Sequence, residues 1–144
     1  MSHFLGRLLD RLSLPMDVIG RALLGLYFLV PGLMKIAGFS GMVAYMTQHG
    51  VPFVTPLLVL TIAVQLSSGV ALIAGWQTKL AALVLAGLTL LISVYMHDFW
   101  NHYEGGSQAH ELQNFIKNLG IFAGLLILAA RGAPRGSLDA RLIR

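Results

Sequence analysis

Histidine and carboxylate side chains occur together at two places in an otherwise apolar chain. His97 and Asp98 are adjacent, and His110 and Glu111 form a second adjacent pair. These residue types transfer protons and bind metal ions near neutral pH. A metal site would use all four residues, but their spacing matches no compact ligand motif such as His-Glu-x-x-His. Metal binding is therefore the weaker interpretation of this group.

A lysine lies inside the stretch "HELQNFIKNLGIFAGLLILAA", which otherwise becomes an unbroken apolar run. An unpaired charge deep in a bilayer costs at least about 2.5–3.5 kcal/mol, so Lys117 needs a partner or water. An ammonium group has three donors and no acceptor. We therefore expect a carboxylate, Glu111 or Asp98, to hold Lys117, with Asn114 and Asn118 completing its hydrogen bonds.

The composition is that of a membrane protein. Of the 144 residues, 56% are hydrophobic and 11% are charged, against about 45–50% and about 25% in soluble domains. There is no cysteine, which excludes disulfides and thiolate metal sites. The formal charge is +4, but no basic patch with interleaved aromatic residues is present, so no nucleic-acid partner is expected. The lipid bilayer is the expected environment.

Apolar segments long enough to cross a bilayer recur along the chain, and a crossing takes about 20 residues. They predict an all-α membrane protein, a four-transmembrane-helix bundle forming a single domain over residues 1–144. Gly20, Gly25 and Gly32 are expected to allow close helix packing in the first span. The spans are placed at residues 17–37, 54–75, 79–98 and 112–130.

The first residues predict a separate amphipathic helix at the membrane surface. In "SHFLGRLLDRLSLP" the apolar side chains share one helical face, and Arg7, Asp10 and Arg11 lie on the other. Such a helix lies in the plane of the interface and does not cross the membrane. The same pattern also fits an amphipathic leader whose helix is frayed.

Lysine and arginine residues are distributed unevenly between the connections. The connections 38–53 and 99–111 contain neither residue type. Cytoplasmic loops carry an excess of Lys and Arg, so both termini and the second connection are expected to be cytoplasmic. The connections 38–53 and 99–111 then lie on the outer side. The basic residues concerned are Arg7, Arg11, Lys79, Arg131, Arg135, Arg141 and Arg144.

Polar residues recur at helical spacing in each span, and lipid cannot satisfy them, so their faces are expected to meet inside the bundle. For Lys35, which lies within a turn of the interface, the alternative is a side chain that extends its ammonium group to water at the membrane surface. Gln65 also fits a hydrogen bond between helices. The residues predicted to bind a ligand are Lys35, Gln65, His97, Trp100, Glu111, Asn114, Lys117 and Asn118.

A quinone or another small amphiphile with a polar headgroup suits this set of residues. Such a ligand needs an apolar entry, aromatic walls and donors for its oxygens. His97, Asn114 and Lys117 can donate. The walls are expected to come from Tyr95, Phe99, Trp100 and Phe115.

Several stretches resemble the DoxX family of small four-span bacterial membrane proteins. They are "GRALLGLYFLVPGLMKIAGFSG", "LSSGVALIAGW", "HDFW", "HELQNFIKNLGIFAGLLILAARG" and "GSLD". The resemblance covers roughly residues 20–139 and is most specific in the fourth span. It implies a multi-pass protein of the bacterial inner membrane. One departure is Gln65, where the family often has glutamate, and this puts any acid chemistry at that position in doubt.

The resemblance also implies a function. Family members are similar to membrane subunits of oxidoreductase complexes, one of which is linked to thiosulfate oxidation with quinone as acceptor. Quinone is the implied cofactor. Because the chain holds no redox centre of its own, catalysis would need a partner subunit or a bound cofactor. The positions carried over by matching motifs are Arg21, Lys35, His97, Trp100, Glu111, Asn114, Lys117 and Asn118.

Two classes of function stay open at the level of sequence. One is a quinone-linked oxidoreductase subunit, and the other is a non-enzymatic membrane protein that handles a metal or small solute or scaffolds a partner. Bound quinone in the purified protein would favour the first class, and stoichiometric metal would favour the second. The sequence leaves the oligomeric state open, including a homo-oligomer.

Overall fold

The computed structural model describes residues 2–133 and 137–142. Over those residues the regular structure consists of helices. In chain order they are α1 (Ser2–Ala37), α2 (Phe39–Gln48), α3 (Val54–Ala74), α4 (Thr78–Met96), α5 (Gln108–Arg131) and α6 (Leu138–Leu142).

Four helices of the described chain are long and apolar enough to cross a membrane, which confirms the predicted fold class. Three of them begin and end within about four residues of the predicted spans, a difference typical of sequence-based boundaries. The first is much longer than predicted. The candidate spans are Phe4–Ala37, Val54–Ala74, Thr78–Met96 and Gln108–Arg131.

The N-terminal residues do not form the separate interfacial helix that the sequence predicted. They belong to α1, which runs for 36 residues without interruption, although Pro15 and Pro31 lie inside it. A helix of this length extends about 54 Å, which exceeds a hydrocarbon core of about 30 Å. Part of α1 therefore lies outside the hydrocarbon region, where the polar residues Arg7, Asp10 and Arg11 can be solvated.

Glycine allows the closest helix approach in the bundle, between α1 and α3. A Cβ atom at Gly25 would lie 2.6 Å from the backbone oxygen of Gly69, and one at Gly69 would lie 2.9 Å from that of Gly25. Gly32 is similarly close to Leu66, at 3.0 Å from its Cδ2 atom. Gly20 has nothing within 4 Å, so the prediction is confirmed for Gly25 and Gly32 and wrong for Gly20.

The bundle has two dissimilar ends. The loop end contains α2, the start of α3, the end of α4 and the connection 97–107. The terminal end contains the turn between α3 and α4, the end of α5 and α6. Each has its own buried apolar cluster: Met46, Leu58, Ile62 and Met96 at the loop end, and Phe28, Ala71, Leu72, Ala81, Ala82, Leu85, Ala86 and Leu125 toward the terminal end.

Polar contacts from distant parts of the chain hold the tight turn at the terminal end. The buried Arg21 side chain donates from Nη1 to the Leu72 carbonyl at 2.8 Å, and its Nε lies 2.8 Å from Asp17 Oδ2. The Asp139 carboxylate accepts from the backbone N–H groups of Gln77 and Thr78, at 2.7 and 2.9 Å. Asp139 thus caps α4, as a carboxylate at a helix N-terminus does.

The turn between α3 and α4 accounts for Arg21 and for the "GSLD" stretch, two features of the sequence that resemble the family. Gly75 has φ 67°, and a Cβ atom there would lie 2.6 Å from both Arg21 Nη1 and Ser137 Cβ. The carried-over Arg21 and the "GSLD" stretch therefore serve this junction and lie away from the loop end. Gly136 of that stretch lies outside the described residues.

Candidate functional site

A buried carboxylate organises the loop end. Asp98 lies two residues after the last residue of α4, and its side chain is 6% exposed. Its Oδ1 lies 3.0 Å from His49 Nδ1. Its Oδ2 accepts hydrogen bonds from Asn101 Nδ2, at 2.7 Å, and from the Tyr103 hydroxyl. The short connection after α4 therefore folds back onto the carboxylate that begins it.

These contacts keep the carboxylate ionised. Burial alone would raise the pKa of Asp98, but hydrogen bonds from Tyr103, Asn101 and His49 outweigh it, and the pKa lies below its ordinary value. The same hydrogen bond raises the pKa of the Tyr103 hydroxyl. Asp98 is therefore an acceptor, and Tyr103 a donor, across the physiological pH range.

His49 connects α2 to this cluster. It follows the last residue of α2 and is buried, and its ring lies between those of Tyr45 and Tyr103, with centroids 4.5 and 4.2 Å away. Burial raises the pKa of the Tyr45 hydroxyl, and the charges of Glu111 and Asp98 raise it further. The helix is thereby anchored at its end by a contact with the Asp98 carboxylate and by two ring contacts.

A second imidazole–carboxylate pair lies nearby. His97 Nδ1 and Glu111 Oε2 are 2.7 Å apart, and the two side chains are 19% and 17% exposed. His97 is the C-cap residue that follows α4, and Glu111 lies in the first turn of α5. Ser107 caps α5 by accepting from the His110 N–H at 3.3 Å. The pair therefore fixes the beginning of α5 against the end of α4.

A polar cavity of about 150 Å³ lies between α2 and the connection 97–107. Each acid–imidazole pair contributes one member to its wall, His49 from the first and Glu111 from the second. The other lining residues are Tyr45, Gln48, Asn101, His102, Tyr103, Glu104, Gly105, Gly106, Ser107 and Gln108.

A larger apolar groove of about 540 Å³ runs between α3 and α4. Met46 of α2 and Met96 at the end of α4 line it at the loop end. Met46 follows Tyr45 of the polar cavity in the sequence, and Met96 precedes His97 of the second acid–imidazole pair. Its other lining residues are Val51, Pro52, Leu57, Leu60, Thr61, Val64, Leu83, Val84, Gly87, Leu88, Leu91, Ile92 and Tyr95.

The predicted aromatic walls are partly brought together. Phe99, Trp100 and Phe115 form a cluster of edge-to-face contacts, with ring centroids 5.1, 5.4 and 6.0 Å apart. Tyr95 lies apart from them and lines the apolar groove.

Lys117 does not have the carboxylate partner that the sequence predicted. It is exposed, and its Nζ donates to Asn114 Oδ1 at 2.9 Å. Among the described residues no carboxylate pairs with it, because Glu111 contacts His97 and Asp98 contacts His49. The geometry of α5 gives the reason: residues six apart project about 120° from each other. Glu111 and Lys117 therefore face different neighbours.

The remaining predicted ligand residues are dispersed. Buried Asn118 accepts from the Tyr27 hydroxyl at 3.3 Å, which joins α5 to α1. Lys35 is half-buried near the end of α1. Gln65 is 4% exposed in α3, and its Oε1 has no hydrogen-bond partner within the described part of the chain. Of the eight predicted residues, Glu111 lines the polar cavity, and His97 contacts it through Glu111.

The four residues of the metal alternative do not converge. Glu111 pairs with His97, whereas Asp98 pairs with His49, and His110 is exposed. Within residues 2–133 and 137–142, no group of three or more histidine, cysteine, aspartate or glutamate side chains is arranged to hold a metal ion.

The sequence reading missed His49, Tyr45 and Tyr103. His49 lies in a connection without other basic residues and was not singled out. One signal was available: Tyr45 and His49 are four residues apart, which places both on one face if the connection is helical. Tyr103 offered no comparable signal, because its contact with Asp98 depends on how the connection 97–107 folds.

Comparisons with known proteins identify the family to which the chain belongs. The DoxX family model matches residues 16–98. The chain is 36% identical over 123 residues to the inner membrane protein YqjF of Escherichia coli (strain K12), covering 85% of this chain and 88% of that protein. It is 29% identical over 124 residues to the inner membrane protein YphA of the same organism, covering 86% and 88%. No solved structure matches. With four apolar helices and these relatives, the chain is an integral inner-membrane protein that belongs to the DoxX family.

Proposed function

We propose that the chain binds a small amphiphile with a carbonyl-bearing headgroup, of the quinone type, at the loop end of its bundle. In this role it is a membrane subunit of an oxidoreductase system. The proposal assigns ligand binding to this chain and electron transfer to a partner subunit. The loop end faces the outer side of the membrane in this proposal.

The observation that carries the proposal is the arrangement of the two cavities around α2. Tyr45 and His49 lie in the wall of the polar cavity, and Met46 of the same segment lies in the wall of the apolar groove. A polar cavity of about 150 Å³ is smaller than the roughly 300–1,000 Å³ that complete ligands occupy. It suits a headgroup, and the groove of about 540 Å³ suits an apolar tail.

The acid–imidazole pairs supply suitable chemistry for ligand oxygens. An ionised carboxylate only accepts hydrogen bonds, so the imidazole nitrogen facing it must carry a proton. Asp98 fixes the tautomer of His49 in this way, and the Glu111 carboxyl group is the corresponding partner of His97 Nδ1. The Nε2 atom of each ring remains to accept a hydrogen bond when the imidazole is neutral and to donate one when it is protonated.

A purification experiment tests whether an amphiphile occupies the groove. The protein is extracted from membranes in mild detergent, and the co-purified quinone is counted per chain by mass spectrometry. Gly87 lines the groove, and a Cβ atom there would meet nothing within 4 Å. Gly87→Leu should therefore fold normally and fill the groove, which lowers the bound quinone to a small fraction of the wild-type amount.

Gly120→Leu is the matched control. Gly120 lies on α5, away from the groove, and it also has open space at the Cβ position. This variant should retain as much quinone as the wild type. Equal quinone content in both variants, or wild-type protein that carries none from quinone-containing membranes, would exclude the proposed groove.

A further inference from the structure

A second cavity, of about 470 Å³, lies at the terminal end of the bundle. It is formed by the turn between α3 and α4, the end of α5 and α6. Trp76, Lys79 and Arg131 contribute to its wall, together with Asp139 and the apolar side chains of Leu80 and Leu142. No residue of this cavity belongs to the loop-end site.

Two cations from different helices line the cavity. Lys79 lies in the first turn of α4, and Arg131 is the last residue of α5. Among the described residues, neither forms an ion pair with a carboxylate. The Asp139 carboxylate is already occupied by the N–H groups of Gln77 and Thr78. These contacts outweigh the effect of burial and hold the pKa of Asp139 below its ordinary value. Within the part of the chain that the structure describes, the cavity wall therefore carries two cations and one carboxylate, which leaves a net positive charge.

The position of Lys79 is determined by packing. Its side chain lies over Gly132, where a Cβ atom would be only 2.9 Å from Lys79 Cε and 3.3 Å from Cγ. Gly132 also has φ 75°, a conformation that glycine adopts without strain. A residue with a side chain at 132 would displace the lysine stem. The chain therefore keeps Lys79 beside Arg131.

The depth of the cavity matches that of a phospholipid phosphate. The candidate span Thr78–Met96 begins beside Lys79, and the span Gln108–Arg131 ends at Arg131, so both cations lie at one membrane boundary. Trp76 and Leu80 are 51% and 57% exposed and can contact acyl chains and the interface. Basic pockets between transmembrane helices on the cytoplasmic side bind anionic lipid headgroups.

We infer that this cavity binds the phosphate of an anionic phospholipid of the adjacent leaflet through Lys79 and Arg131. The apolar residues beside the cations favour a lipid over a free phosphate, since a free anion gains nothing from Trp76 and Leu80. The inference is independent of the ligand proposed at the loop end.

Lipid retention measured by native mass spectrometry tests the inference. The full-length protein is placed in nanodiscs of phosphatidylcholine with a minor fraction of phosphatidylglycerol, and the lipids retained after detergent transfer are identified. The wild type should retain phosphatidylglycerol in preference to phosphatidylcholine. The double variant Lys79→Gln/Arg131→Gln should lose roughly 10- to 30-fold in this preference, because each basic residue near the surface contributes about one factor of five.

The control double variant Arg11→Gln/Arg141→Gln removes the same charge outside the cavity and should keep the preference. Lys79→Arg/Arg131→Lys keeps both charges and should also keep it, which separates a binding defect from a folding defect. An equal loss in both Gln double variants would show attraction by net charge alone and overturn the inference. Displacement of the lipid by excess inorganic phosphate would identify an anion site without lipid specificity, and would overturn it as well.

Discussion

At the scale of single residues, Asp98 is the side chain on which the loop end depends. Three side chains from two segments bond to its two oxygens, and one of them, His49, ties α2 to the end of α4. Leaving such donors without their acceptor costs about 1–3 kcal/mol. Asp98 therefore links ligand chemistry at the cavity to the stability of its walls.

Asp98→Asn should lower the free energy of unfolding and change its dependence on pH. The folded-state pKa of Asp98 is lowered from 3.8. A lowered pKa stabilises the fold above the unfolded value, and this contribution is lost as the pH falls through the folded-state pKa. Wild-type protein should therefore lose stability below about pH 4, and Asp98→Asn should lose less over that range.

Thermal unfolding in detergent, followed by circular dichroism from about pH 2 to about pH 7, crosses the ordinary carboxyl pKa of about 4 and gives the comparison. Asp10→Asn on the exposed part of α1 serves as the control and should follow the wild-type curve. Because Asp139 also has a lowered pKa, some acid sensitivity should persist in Asp98→Asn. Identical curves for wild type and Asp98→Asn would contradict the assigned role.

Sequence reasoning located reactive residues better than it located their partners. His97 and Glu111 were predicted as members of one site, and the structure pairs them directly. Lys117 was expected to pair with Glu111 or Asp98, but these carboxylates contact the two histidines instead. Composition and helical spacing limit which residues can share a face. Composition and spacing do not determine which side chain of another helix forms a contact with a given carboxylate.

At the scale of helices, the spans were predictable and the connecting helix α2 was not. The spans are long apolar runs, and the requirement to satisfy every backbone group in lipid makes such runs helical. By contrast, α2 has 10 residues, and its N-cap residue, Gly38, makes no side-chain hydrogen bond to the helix. A helix of that length is marginal in isolation. It is stabilised by the contacts of Met46 in the core and of His49 with Asp98. Such tertiary contacts cannot be predicted from the local sequence of the helix.

The contact between α1 and α3 yields a prediction about glycine. Gly25→Ala places a Cβ atom 2.6 Å from a backbone oxygen of α3, so the helices must separate. Such overpacking costs about 1–3 kcal/mol. Gly20→Ala, five residues earlier in the same helix, meets nothing within 4 Å and should be neutral or slightly stabilising because alanine favours helices.

Unfolding of the two variants in the same detergent, from the same preparation, measures the difference. Gly25→Ala should have the lower midpoint temperature, with no loss of helix content before unfolding. A midpoint for Gly25→Ala equal to that of Gly20→Ala would show that α1 and α3 do not approach as closely as the structure has them.

At the scale of the whole molecule, the unequal ends of the bundle predict its orientation. Lysine and arginine concentrate at the terminal end, whereas the connections 38–53 and 99–111 at the loop end contain neither. The excess of Lys and Arg on the cytoplasmic side leads us to predict that the terminal end is cytoplasmic.

Reporter fusions measure this orientation directly. Reporters joined after Gly50 and Ser107 should be active outside the cytoplasm, and reporters joined after Thr78 and Arg144 should be active inside it. A C-terminal reporter active outside would reverse the orientation and place the loop-end cavity on the cytoplasmic side.

Binding of a short-chain quinone to protein in nanodiscs tests the loop-end site most directly. Glu111→Gln preserves the size of a side chain in the cavity wall and replaces the carboxyl group that contacts His97 Nδ1. The dissociation constant of quinone from this variant should be at least about tenfold higher than from the wild type, a loss of about 1.4 kcal/mol in binding free energy. His110→Gln alters the preceding, exposed residue and should bind as the wild type does. Equal affinities for wild type and Glu111→Gln, both correctly folded, would contradict ligand binding at the loop end.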